Sequence, residues 1–153
     1  MNGIETGLYE LSRAFLAPIL ILIAGALAYA FVALGMFLME ALQRWRGSHR
    51  PVLVAGIHSD DLELGIMKRL EWLRIVSRTA PMLGLVATMI PMGPALLGLS
   101  RGDAASVGEN LVVAFSAVIL ALVAASITFF VLTVRRRWLL EELRALEREG
   151  ATG

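Results

Sequence analysis

Charged side chains vanish from three long stretches of this chain. No Asp, Glu, Lys or Arg lies between Arg13 and Glu40, between Arg78 and Arg101, or between Glu109 and Arg135, leaving uncharged runs of 26, 22 and 25 residues. A helix rising about 1.5 Å per residue needs about 20 apolar residues to cross a ~30 Å hydrocarbon layer. The pattern predicts an all-α integral membrane protein with three spanning helices, near residues 14–39, 79–99 and 110–134. The first run begins too late, is too long and lacks a basic start with a small-residue cleavage site, so it is expected to persist rather than to be removed as a signal peptide.

Between the runs the pattern changes. Gly47 to Gly56, containing Ser48, His49 and Pro51, reads as a break. Ser59 or Asp60 can then cap a new helix, and Asp61 and Glu63 suit its first turn. Leu62, Ile66, Leu70 and Leu73 follow at helical spacing, backed by Lys68, Arg69, Glu71 and Arg74. This predicts an amphipathic helix lying on the membrane or on a neighbouring subunit before span two. Pro81, one turn into that span, either starts a new helix or bends a continuous one. The short polar link from Ser100 to Gly108 makes spans two and three an antiparallel hairpin. Beyond Val134, the register of Trp138, Leu139, Leu143 and Leu146 predicts a helical extension of span three. Residues 1–153 thus read as one membrane domain, with the 40–78 segment and the 135–153 tail outside the bilayer.

Composition agrees: 58% of residues are hydrophobic and the mean hydropathy is +0.73, more apolar surface than a soluble domain of this size could bury. Orientation follows from the basic residues. Arg44, Arg46, Arg50, Lys68, Arg69, Arg74 and Arg78 lie between spans one and two, and Arg135-Arg136-Arg137 opens the tail, whereas the opposite side has only Arg13 and Arg101. This places the N-terminus outside and the 40–78 segment and C-terminus in the cytoplasm of a multi-pass cell-membrane protein. Trp45, Trp72 and Trp138 fall near the expected inner boundary. The net charge of +1 is accounted for by topology and gives no nucleic-acid patch, and the absence of cysteine excludes disulfides and thiolate chemistry.

Two stripes of small residues run along the later spans: Ala80, Gly84, Ala87, Pro91, Ala95 and Gly98, and Asn110, Ala114, Ala117, Ala121, Ala124 and Thr128. Small side chains let membrane helices approach closely, where dispersion replaces the hydrophobic drive. The stripes can seal the hairpin within one subunit. Alternatively, three helices cannot hide both faces, the hydroxyls of Thr88, Ser116, Ser126 and Thr128, and the Asn110 amide from lipid, and copies assemble around a shared interior. His49 and His58 lack partners at ligand spacing, so no metal site is expected. No Ser/His/Asp set, phosphate loop or acid pair stands near a plausible pocket. Neither an enzyme nor a cofactor is expected.

The run Ala80-Pro81-Met82-Leu83-Gly84-Leu85-Val86-Ala87-Thr88 resembles the A-P-x-x-G-L-x-G-T motif of the MotA/TolQ/ExbB proton-channel family, and the resemblance covers roughly residues 60–140. The continuation Ile90-Pro91-Met92-Gly93-Pro94 is similar to small archaeal-type members. The resemblance implies a homo-oligomeric ring of five subunits around two single-span partners of the ExbD/TolR/MotB type, each bringing an essential membrane aspartate. It further implies that ion flow turns ring against partners and that Thr88 lines the interior facing the carboxylate. The chain has no acidic residue within its spans, so the titrating group would come from another polypeptide. Two departures stand out. The glycine before the threonine is Ala87, and span three has Ala117 and Val118 where the family commonly carries a threonine, with Val113 at the position of an acid. Ser116 and Asn110 are the remaining polar candidates for an ion path, and Gly84, Ala87, Ala114, Ala117 and Ala121 for helix packing. A drier interior leaves room for a non-conducting ring-shaped scaffold, or an accessory subunit of a transporter.

Overall fold

A computed structural model describes residues 3–47 and 59–151. The break after Gly47, both histidines and the side chains of Ser59, Asp60, Leu62 and Arg69 lie outside the described residues. All four elements are helices: α1 (Gly3–Ala14), α2 (Leu16–Trp45), α3 (Ser59–Ser100) and α4 (Ala104–Ala151). Three helical stretches are long and apolar enough to cross a membrane, with α1 and α2 together making the first.

The first run is preceded by a helix that the charge pattern did not announce. Pro18 has no N–H to offer the carbonyl of Ala14, and its ring crowds that carbonyl, so the helix is interrupted one turn earlier. The Phe15 N–H donates to Ser12 O at 3.2 Å, and the ladder resumes with Ile19 N–H to Phe15 O at 3.1 Å. Ile4, Leu8 and Leu11 on α1, continued by Phe15 just after it, form an exposed apolar stripe, while Tyr9 reaches Gly93 on α3.

α3 and α4 are 42 and 48 residues long, or about 63 and 72 Å at the helical rise, roughly twice the hydrocarbon thickness. Of the two outcomes open at Pro81, the helix runs through: α3 is continuous, with Pro81, Pro91 and Pro94 all inside it. Its end is sharply built. Gly102 takes a positive φ of 71°, Asp103 N–H donates to Gly98 O at 2.9 Å and Gly102 N–H to Leu99 O at 3.1 Å, the paired bonds of a Schellman cap. Asp103 then opens α4, its Oδ1 accepting the Ser106 N–H at 3.1 Å.

The seam between α3 and α4 changes chemistry along its length. In the span region it is made of Ala80, Ala87 and Ala95 facing Ala114, Ala117, Ala121 and Ala124. Beyond it, Ile66, Leu70 and Leu73 bury against Val131, Leu139 and Leu143. Lipid tails are as apolar as leucine, so within the bilayer only close packing distinguishes a partner. In water, each buried Leu or Ile contributes about 1.5–3 kcal/mol. The amphipathic stripe expected to lie on the membrane or another subunit instead packs on the helical extension of span three in the same chain.

α2 lies along one side of this hairpin. Ile19 and Ile23 meet Ala87, Ala117 and Ala121, Ala30 meets Ala80, Ala124 and Ala125, and Ala33 and Phe37 join the Leu-rich end. At that end Glu40 Oε2 accepts from Arg135 Nε at 3.0 Å and Arg44 pairs with Glu142. Arg44 also stacks 4.5 Å above Trp138, whose other neighbour Phe37 lies parallel at 5.2 Å. Trp138 is therefore a packing residue, whereas Trp45 and Trp72 are exposed.

Candidate functional site

The sequence nominates Thr88, and its surroundings are set by the seam. Gly84 touches α4 so closely that a Cβ there would sit 2.8 Å from the Ala121 Cβ and 3.5 Å from Val118. A Cβ on Gly98 would lie 3.2 Å from Val107. These two contacts fix the antiparallel register and set Thr88, one turn after Gly84, level with Ala117. Ala87, next to it, is fully buried. Both small-residue stripes are thus consumed by the hairpin, the first of the two outcomes the residues allow, with Gly84, Ala87, Ala114, Ala117 and Ala121 all in the seam.

Thr88 itself is half-buried, its hydroxyl donating to Leu85 O at 2.7 Å. Such a bond to the preceding turn spends the proton and leaves the oxygen able to accept. At about 100° per residue, Thr88 is turned away from the side of α3 that carries Ala80, Leu83, Ala87 and Ile90 toward α2. It therefore occupies the free side of the hairpin.

The other polar candidates do not join it. Ser116 is exposed and makes no hydrogen bond among the described residues. Its place on α4, next to Ala117 but away from the α3-facing stripe, puts it beyond α2 on the opposite side of the seam. Asn110 is half-buried near the hairpin loop, its Nδ2 donating to Ser106 O at 2.8 Å, and is about 10 Å along the axis from the level of Thr88. Thr128 is fully buried and bonds to Ala124 O at 2.8 Å and Ala125 O at 3.1 Å. Ser126 is exposed with no bond among the described residues. Opposite Thr88, α4 presents Ala117, buried, and Val118, half-buried, neither offering a hydrogen-bonding group.

Among the described residues no group of three His, Cys, Asp or Glu side chains is placed to hold a metal ion. The structure adds one polar feature that single-residue reasoning missed. Arg74 and Arg78 on α3 and Arg136, Arg137 and Arg144 on α4 line a recess of about 1080 Å³ on the free side of the hairpin. The signal was present only as a register, since the two arginine groups are far apart in sequence and meet because the hairpin folds them together.

A model of the MotA/TolQ/ExbB proton channel family matches residues 33–148. That match covers α3 entire, α4 up to Arg148 and the second part of α2 from Ala33 onward, and the chain belongs to this family. No curated protein and no solved structure gives a match.

Proposed function

We propose that this chain is the ring-forming subunit of an ion-driven, energy-transducing membrane complex, and that the ion is the proton. Membership of a proton-channel family, together with the exposed Thr88 hydroxyl on the side of the hairpin left free by α2, carries the reading. In it, five copies surround two single-span partners of the ExbD/TolR/MotB type, with the N-terminus outside and the Arg-rich ends of α3 and α4 in the cytoplasm. The partner's aspartate is costly at membrane depth unless it is protonated or given hydroxyls and water. Thr88 Oγ1, having given its proton to Leu85 O, can accept a hydrogen bond from the protonated carboxyl. When that proton leaves to the cytoplasmic side, two acceptors face each other and the attraction is lost; a proton taken up from the outer side lets the carboxyl donate again, now to the next subunit's Oγ1. No residue of this chain is assigned covalent chemistry.

The test is proton flux through proteoliposomes holding the complex purified from native membranes. Thr88→Val keeps shape and removes the acceptor, so flux should fall by an order of magnitude or more, while Thr88→Ser should retain most of it. Wild-type flux in the valine variant would remove Thr88 from the path.

One observation favours a second reading. Ala117 and Val118 place no hydroxyl across from Thr88, so the same fold could serve as a non-conducting ring that holds a partner. Function indifferent to an uncoupler would select that reading.

A further inference from the structure

The Arg-lined recess lies on the hairpin where the apolar run of α4 ends at Val134 and Arg135 begins the extension. Its lining is of two kinds, the carbon of Phe129, Leu132 and Leu140 and, interleaved with it along both helices, Arg74, Arg78, Arg136 and Arg144. Arg137 is paired with Glu141 at 2.9 Å, but the remaining four guanidinium groups make no ion pair among the described residues. Glu147 is the one other acid on the lining. Basic residues at a membrane boundary are ordinary consequences of topology. Four guanidinium groups without an ion pair among the described residues, brought from two helices to one concavity and interleaved with carbon, are not.

We propose that this recess binds a phospholipid with an anionic headgroup, the phosphate held by Arg78 and Arg136 and an acyl chain lying on Phe129 and Leu132. Guanidinium groups bind phosphate oxygens through paired N–H donors, and each basic side chain near an anionic membrane surface adds to the attraction. An acidic patch on a second copy of the chain would satisfy the arginines but leave the carbon of the lining without a role, and a free phosphate ion would do the same. A lipid uses both kinds of lining. The proposal is independent of whether the ring conducts ions.

The experiment is native mass spectrometry of the full-length protein, released from micelles supplemented with phosphatidylglycerol, phosphatidylcholine or inorganic phosphate. Phosphatidylglycerol should remain bound where phosphatidylcholine does not, and the bound fraction should fall as ionic strength rises. The double variant Arg78→Gln/Arg136→Gln should lose affinity by about tenfold or more. Leu132→Asn, which keeps every arginine, should also weaken retention. Equal retention of the two lipids, unaltered phosphatidylglycerol binding in the double variant, or displacement of the lipid by millimolar phosphate would overturn the proposal. So would a double variant that dissociates the oligomer while lipid retention is unchanged, since the recess would then be a seat for another copy. If the double variant does not fold, the salt dependence and lipid preference of the wild type decide.

Discussion

At the scale of single residues, Gly84 matters most to the geometry that presents Thr88. The Cβ that any other residue would bring must share space with the Ala121 Cβ at 2.8 Å, and that methyl has no rotamer by which to withdraw. Gly84→Ala should therefore push α3 and α4 apart and cost about 1–3 kcal/mol, the usual penalty of overpacking. Removing the opposing methyl tests the cause: Gly84→Ala with Ala121→Gly should recover most of the loss, read as the thermal midpoint in micelles. Gly35→Ala makes a control, because nothing lies within 4 Å of the place its Cβ would take and helix propensity favours alanine. If the paired change is as unstable as the sum of its parts, the seam contact is not what Gly84 is for. The same contact explains which part of the motif was legible in sequence. A glycine at small-residue spacing announces close approach, but whether the neighbour belongs to the same chain is decided by three-dimensional register, which spacing does not contain.

At the scale of elements, the hairpin is held by two different forces in series. The alanine seam gains only packing, whereas Ile66, Leu70 and Leu73 against Leu139 and Leu143 gain from leaving water. Leu70 is 2% exposed and sits within that second cluster. Leu70→Ala should cost about 2–5 kcal/mol and raise hydrogen exchange across the ends of α3 and α4 while the span region stays protected. Uniform exchange along both helices would show that the two zones unfold as one. The stripe itself was plain in the sequence because water imposes an apolar period of about 3.6 on any helix packed in it. Its partner was not, since membrane surface, neighbouring subunit and sibling helix all demand the same pattern. Nor was α1 legible: Pro18 hides the continuation of the first helix, and the charges of Glu5, Glu10 and Arg13 mask its apolar stripe from any search for uncharged length.

At the scale of the whole molecule, the small-residue faces do not argue for assembly, because Ala87, Ala114, Ala117 and Ala121 are spent within one chain. What argues for it is narrower. Ser116 and Ser126 lie on exposed faces of α4 with hydroxyls that no described residue satisfies, and Thr88 stands on a side of the hairpin that α2 leaves free. An unsatisfied hydroxyl facing hydrocarbon costs free energy that a neighbouring subunit or a wet lumen removes. Serine and threonine are few along these helices, so each contributes little alone, and the family match over residues 33–148 is the stronger support. Both lead to the same measurement. Native mass spectrometry of the complex from native membranes should give five copies of the 16.6 kDa chain with two of a smaller, single-span protein. Ser126→Leu, which removes a bare hydroxyl and adds only carbon, then separates the candidate surfaces. If Ser126 faces lipid, the ring should persist unchanged. If it faces a neighbouring subunit, the larger side chain should split the ring into smaller species. A wild-type chain that is monomeric or dimeric with no partner would end the ring reading while leaving the hairpin, the seam and the Arg-lined recess as they stand.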